Sequence, residues 1–259
     1  MIDLDKNIIE IVKSALDFEC HIDSNIDWEK LVMYAKKHKI MPLFCYGFSK
    51  AGIKVPPEAD ETLFRNTAFN ISVSNNQLFE LGKIKQAFLE NKIDFIVLKG
   101  ATMKEYYPSP EMRPMGDVDM LIRVEQYPKI RSIMQQLGFK EKEPSNYEFK
   151  WSKGNVLIEL HKRLTAPTNR DFCRYYGDGW KMAVPMENST EYTYSREDYF
   201  VYLFMPELLC DDFRFFYRPI VQPNDGRADG SPVFIGQNQG FALGVHRQCV
   251  HGKSLFYLF

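Results

Sequence analysis

A chain of 259 residues that is 45% apolar and 26% charged is long enough for one large or two modest globular domains, and intrinsic disorder, a fibre and a disulfide miniprotein are excluded. Lys and Arg (33) balance Asp and Glu (34) to a formal charge of −1, so no extended nucleic-acid-binding surface is expected. The five cysteines (Cys20, Cys45, Cys173, Cys210, Cys249) are scattered and odd in number, with no C-x-x-C pair, which fits a reducing cytoplasm.

The first residues carry acids where an export signal would carry basic residues, and the longest apolar run, Tyr199 to Met205, falls far short of the roughly 20 residues that cross a bilayer. A cytoplasmic protein without a membrane partner is therefore expected. Ile8, Ile9, Val12 and Leu16 mark one helical stripe and Leu31, Tyr34, Ala35 and His38 another, so residues 1–70 read as an N-terminal helical region. Gly52 and Pro56-Pro57 interrupt it. Helical spacing resumes from Leu63 to Phe69 and again through Leu78, Leu81, Ile84, Ala87 and Phe88.

A core is expected over 71–165. Its first strand, Ile93 to Leu98, ends in Lys99-Gly100, with a short helix over Ala101 to Tyr107. Three prolines (Pro108, Pro110, Pro114) then hold an extended loop that delivers Met115-Gly116 to a second strand, Asp117 to Ile122. Pro128 opens a helix that Gly138 stops, and Gly154-Asn155 turns a hairpin between Tyr147–Ser152 and Val156–His161. This order predicts an α/β or α+β (α/β mixed) core.

Residues 166–204 read as a C-terminal helical extension, including a helix that starts near Ser195-Arg-Glu-Asp198 and meets Pro206. Residues 205–259 differ in composition: they hold six of the 15 glycines but only one lysine (Lys253) and one glutamate (Glu207). They read as an irregular tail, or as the product of a shifted reading frame.

The chain has two D-x-D pairs, about as many as chance allows for its aspartate content. Asp3 and Asp5 precede a helix, where carboxylates favour the N-terminal dipole. Asp117 and Asp119 lie on a strand, so they share one face while Val118 and Met120 enter the core. Two adjacent carboxylates repel each other unless a divalent cation joins them. A third acid, Glu159, alternates with Ile158 and Leu160 on a neighbouring strand. Three carboxylates on adjacent strands are the ligand set of a two-metal phosphoryl or nucleotidyl transfer site. The alternative for Glu159 is an edge-strand acid paired with Lys162 or Arg163, and His161 is expected to make a structural hydrogen bond. The turn at Lys99-Gly100 can cradle phosphate oxygens, and Lys99 and Arg113 can add charge to a triphosphate.

Taken together, Phe95-Ile-Val-Leu-Lys-Gly-Ala101, Tyr107-Pro108, Arg113-Pro-Met-Gly-Asp-Val-Asp-Met-Leu121, Leu137-Gly-Phe139 and Ile158-Glu-Leu-His161 resemble the uncharacterised bacterial nucleotidyltransferase family of the DNA polymerase β-type superfamily. The segment from Trp28 to Leu43 resembles that family's helical N-terminal region. The resemblance implies a small mixed β-sheet nucleotidyltransferase core flanked by N-terminal and C-terminal helical regions, and a Mg²⁺-dependent nucleotidyltransferase activity, with Mn²⁺ able to substitute. Asp117, Asp119 and Glu159 are its implied catalytic and metal-binding residues; Lys99, Gly100, Thr102, Arg113 and Gly116 bind the nucleotide. The superfamily's glycine turn usually carries a neighbouring serine, where this chain has Ala101 and Thr102. Two other readings stand beside it: a metal-dependent glycosyltransferase that uses D-x-D to bind a nucleotide sugar, and a non-catalytic nucleotide-binding or interaction protein. The partners implied are an NTP and an acceptor that the sequence does not identify.

Overall fold

The computed structural model describes residues 2–23, 25–164, 170–187 and 189–203 and the backbone of 246–250 and 253–257. Contacts divide the chain into two units, Met1–Ser195 and Arg196–Phe259.

The first unit opens with α1 (Ile2–Ala15), α2 (Trp28–Lys37) and α3 (Met41–Ala51). Asp27 caps α2 by accepting from the Lys30 amide, and Gly52 ends α3 in the left-handed conformation that a side chain disfavours. Ile8, Ile11, Leu31, Ala35, Phe44, Phe48 and Leu63 form one apolar cluster. Ile11 takes the place in the buried stripe expected for Ile9, which is 59% exposed. α1 and α3 touch so closely that a Cβ on Gly47 would lie 2.4 Å from the Ile11 carbonyl oxygen, while Ser14 donates to the Gly47 carbonyl.

The two expected helical stretches after Pro56-Pro57 are one helix, α4 (Pro57–Glu90), with Pro57 in its first turn beside Glu58 and Asp60. Its buried face continues at helical spacing through Leu63, Thr67, Ser74, Gln77, Leu81, Ile84 and Phe88. The apolar stripe breaks in the middle because polar residues occupy the buried positions there. No helix among the described residues is long and apolar enough to cross a membrane.

The mixed α+β core follows as expected. It comprises β1 (Phe95–Val97), α5 (Lys99–Met103), β2 (Val118–Ile122), α6 (Tyr127–Gln136), β3 (Lys140–Glu141), β4 (Glu148–Lys153) and β5 (Val156–His161). α7 (Arg170–Tyr176), β6 (Val184–Pro185) and β7 (Glu191–Thr193) complete the unit. The sheet runs β3-β4-β5-β2-β1-β7-β6, with β2 antiparallel to β1 and parallel to β5. One face packs on α4 and α6 through Phe88, Phe95, Val118, Met120, Trp151, Ile158 and Leu160. This leaves the opposite face of β2, β5 and β4 for polar residues.

In the second unit the helix expected after Ser195 forms as α8 (Arg196–Leu203), and β8 (His246–Val250) pairs antiparallel with β9 (Lys253–Tyr257). Apart from these two strands, the expectation of an irregular or frameshifted tail falls outside the described residues.

Candidate metal and nucleotide site

The alternation read from the sequence holds on both central strands. Val118 and Met120 are fully buried, as are Ile158 and Leu160, and the acids take the other face. The parallel register sets Asp119 opposite Glu159, and the antiparallel register on the far side sets Lys150 opposite Glu159 and Glu148 opposite His161. β5 is therefore an interior strand, and Glu159 pairs with neither Lys162 nor Arg163: Lys150 Nζ donates to its Oε1 at 2.8 Å.

His161 lies against the acids. Its Nε2 is 3.0 Å from Asp119 Oδ1, and its Nδ1 is 3.7 Å from Glu148 Oε2. One carboxylate oxygen each from Asp119 and Glu159 and one His161 ring nitrogen lie within 4.8 Å of one another. Two carboxylates and an imidazole, with a further acid at Asp117, are a donor set that fits a divalent ion. Sequence reasoning put His161 at a hydrogen bond and missed both Glu148 and Lys150.

The electrostatics show a site with excess negative charge. Burial, and then the neighbouring Asp119, push the Asp117 carboxyl above the usual range. Burial also raises Glu159, with Glu148 and Asp117 adding to the effect and Lys150 opposing it. Burial raises Glu148 too, but its bond to Lys150 and the charge of His161 outweigh this and hold it low. Lys150 is held charged by its bonds to Glu159 and Glu148. Burial alone would lower His161; the bond to Asp119 and the charges of Asp119, Glu148 and Glu159 overcome it and leave the ring more basic than usual. Lys150 is thus a local counter-charge to the acids, with the His161 ring made more basic beside it.

The expected phosphate turn adjoins this face. Gly100 is buried, and a Cβ there would lie 2.8 Å from Met115 Sδ and 3.4 Å from the Asp117 carbonyl oxygen. Close approach, rather than an unusual φ, explains the glycine. The Leu98 amide donates to the Asp119 carbonyl, which fixes the end of β1 to the acid strand. Thr102 directs its hydroxyl back to the Val97 and Leu98 carbonyls. Lys99 is half-buried at the start of α5, Arg113 is half-buried in the loop before β2, and Gly116 is exposed.

Among solved structures, the solution structure of the antibiotic-resistance factor ANT(2'')-Ia is similar at 20% identity and a TM-score of 0.31, over 35% of this chain and 48% of that one. The crystal structure of ANT(2'')-Ia in complex with adenylyl-2''-tobramycin is similar at 20% identity and a TM-score of 0.30, over 33% and 49%. The chain therefore spans about half the length of the solved structures it matches. No curated protein matches it. The family model described as uncharacterised nucleotidyltransferase matches residues 24–206, which take in the N-terminal helices from α2 onward, the whole acid-bearing sheet and α8. With most of its length so matched, the chain belongs to the uncharacterised nucleotidyltransferase family.

Proposed function

We propose that the chain transfers a nucleoside monophosphate from an NTP to an acceptor hydroxyl and releases pyrophosphate, with Asp117, Asp119 and Glu159 as the catalytic and metal-binding residues. The observation that carries this reading is the in-register placement of Asp119 and Glu159 on neighbouring parallel strands, with the raised carboxyl of Asp117 two residues away. A divalent ion bound there, Mg²⁺ or Mn²⁺, would supply charge to the triphosphate and lower the pKa of the attacking hydroxyl. Asp117 and Asp119 hold the ion in this reading, and Glu159 completes the site and helps to take the acceptor proton. Lys99, Gly100, Arg113 and Gly116 hold the phosphates, with Thr102 tying their turn to the end of β1. Lys150 keeps Glu159 oriented across the β4–β5 pair.

The test is the thermal midpoint of the purified chain with each of the four NTPs, with and without Mg²⁺, beside the Asp117→Asn/Asp119→Asn double variant. Binding to the native state raises the midpoint by mass action. A Mg²⁺-dependent rise with one NTP that the double variant lacks is the expected result, and that NTP, labelled, then serves to find the acceptor. An equal rise in the double variant would overturn the assignment of the acids. A nucleotide sugar that stabilises the chain more than any NTP would overturn the choice of substrate.

A further inference from the structure

The run from Lys104 to Asp117 delivers the paired acids, yet it contains only two short 3-10 turns, at Lys104–Tyr106 and Pro110–Met112. Its three prolines lack amide protons, so little of its own backbone can hold it in place. The N-terminal helices hold it instead. Met112 is buried with Ala15 and Leu43, and the Tyr46 hydroxyl bonds Glu111.

Two buried polar residues then fix the backbone itself. Lys104 is 2% exposed, and its ammonium donates to Ser74 Oγ at 3.1 Å, the Pro110 carbonyl at 3.0 Å and the Arg113 carbonyl at 2.6 Å. All three of its protons are used, each on a neutral oxygen. A buried ammonium without a bonded carboxylate carries a desolvation cost that an apolar side chain would not incur. Gln77, 1% exposed, donates from Nε2 to the Met115 carbonyl at 3.0 Å and the Gly116 carbonyl at 3.4 Å, while its Oε1 is buried without a hydrogen-bond partner. That unmatched oxygen is another cost accepted to keep the donor end in place. The carbonyls of residues 110, 113, 115 and 116 are therefore held in succession along the run that ends at Asp117.

We propose that Lys104, Ser74 and Gln77 form a positioning unit through which α4 sets the paired-acid segment for metal binding. The inference rests on the proposed metal site, and partners that orient metal ligands typically change affinity by about 10–100-fold when removed. Gln77→Met and Lys104→Met keep the length and bulk of the side chains but remove the donors.

The experiment measures Mn²⁺ affinity of the full chain by electron paramagnetic resonance, with near-ultraviolet circular dichroism as the check on folding. Wild type, the two variants, Asn76→Ala and the Asp117→Asn/Asp119→Asn double variant are compared. Asn76, next to Gln77 on α4, donates to Asn155 in the hairpin turn, and its variant should bind as wild type does. Gln77→Met and Lys104→Met should bind about 10–100-fold more weakly while remaining folded. Wild-type affinity in a folded Gln77→Met chain would overturn the positioning role, and this milder variant decides the matter if Lys104→Met does not fold. Equal loss in Asn76→Ala would also overturn it, because general loosening of α4 would then suffice. If wild type binds no Mn²⁺, or the double variant binds it equally well, the metal site itself falls.

Discussion

Replacing Lys104 with Met gives a stability change whose pH dependence follows from the structure. Burial, with the nearby Arg113 charge adding to it, lowers the amine from its ordinary value of 10.5 to about 8. At about 1.4 kcal/mol per unit, keeping this amine protonated at pH 7 costs the folded chain on the order of 3 kcal/mol. The native state binds the proton less well than the unfolded state. Raising the pH from 8 towards 10.5 therefore stabilises the wild type, and between pH 7 and pH 10 about 2–3 kcal/mol should return.

Lys104→Met removes the titration. It also leaves Ser74 Oγ and the Pro110 and Arg113 carbonyls without that donor, at a cost that is independent of pH to first order. Urea unfolding of both chains at pH 7, 8, 9 and 10 isolates the lysine in the wild-type-minus-variant difference, because other titrating groups are common to both. The difference should move in favour of the wild type by about 2–3 kcal/mol as pH rises. A difference constant within about 0.5 kcal/mol, below what a shift of one unit would give, would refute the burial argument.

Other outcomes follow from the acids and the core. Asp117→Asn should raise the thermal midpoint of the metal-free chain at pH 7, since an amide escapes the burial and the Asp119 repulsion that raise its carboxyl; a lower midpoint in EDTA would contradict this. In a transfer assay with the NTP identified by thermal shift, Asp119→Asn or Glu159→Gln should reduce the rate by more than the ~10–100-fold expected of outer partners. Retention of most activity by either variant would exclude that residue as a ligand. Ile158→Ala empties a fully buried place in the sheet core and should lower stability by about 2–5 kcal/mol in urea unfolding. Gly100→Ala must displace Met115 and should lower stability by roughly 1–3 kcal/mol; an unchanged midpoint would mean that Met115 moves aside freely.

What the sequence showed of the site was what period-two alternation can show. Asp119, Glu159 and His161 were assigned to the correct face because a strand's faces are a local property, whereas Asp117, expected to open the strand, precedes β2, which begins at Val118. That Asp119 stands opposite Glu159 depends on the β2–β5 register, which joins residues 40 positions apart and leaves no local trace. Glu148 and Lys150 were within reach of sequence reasoning. The Gly154-Asn155 turn pairs Lys153 with Val156, and counting back along the hairpin brings Lys150 to Glu159 and Glu148 to His161.

The break in the α4 stripe hid more. Thr67, Ser74 and Gln77 sit at buried positions with the correct spacing, but a search for apolar periodicity passes over polar residues buried for the bonds they make. β6 and β7, of two and three residues, are too short for any alternation to register.

The length of α4 has a consequence for how the first unit unfolds. At about 1.5 Å per residue its 34 residues extend roughly 51 Å, with Leu63 in the N-terminal cluster and Leu81, Ile84 and Phe88 in the sheet core. Two apolar cores thus share one continuous backbone element. Neither can melt without fraying the helix on which the other is built, so the helices and the sheet should lose structure in a single cooperative transition.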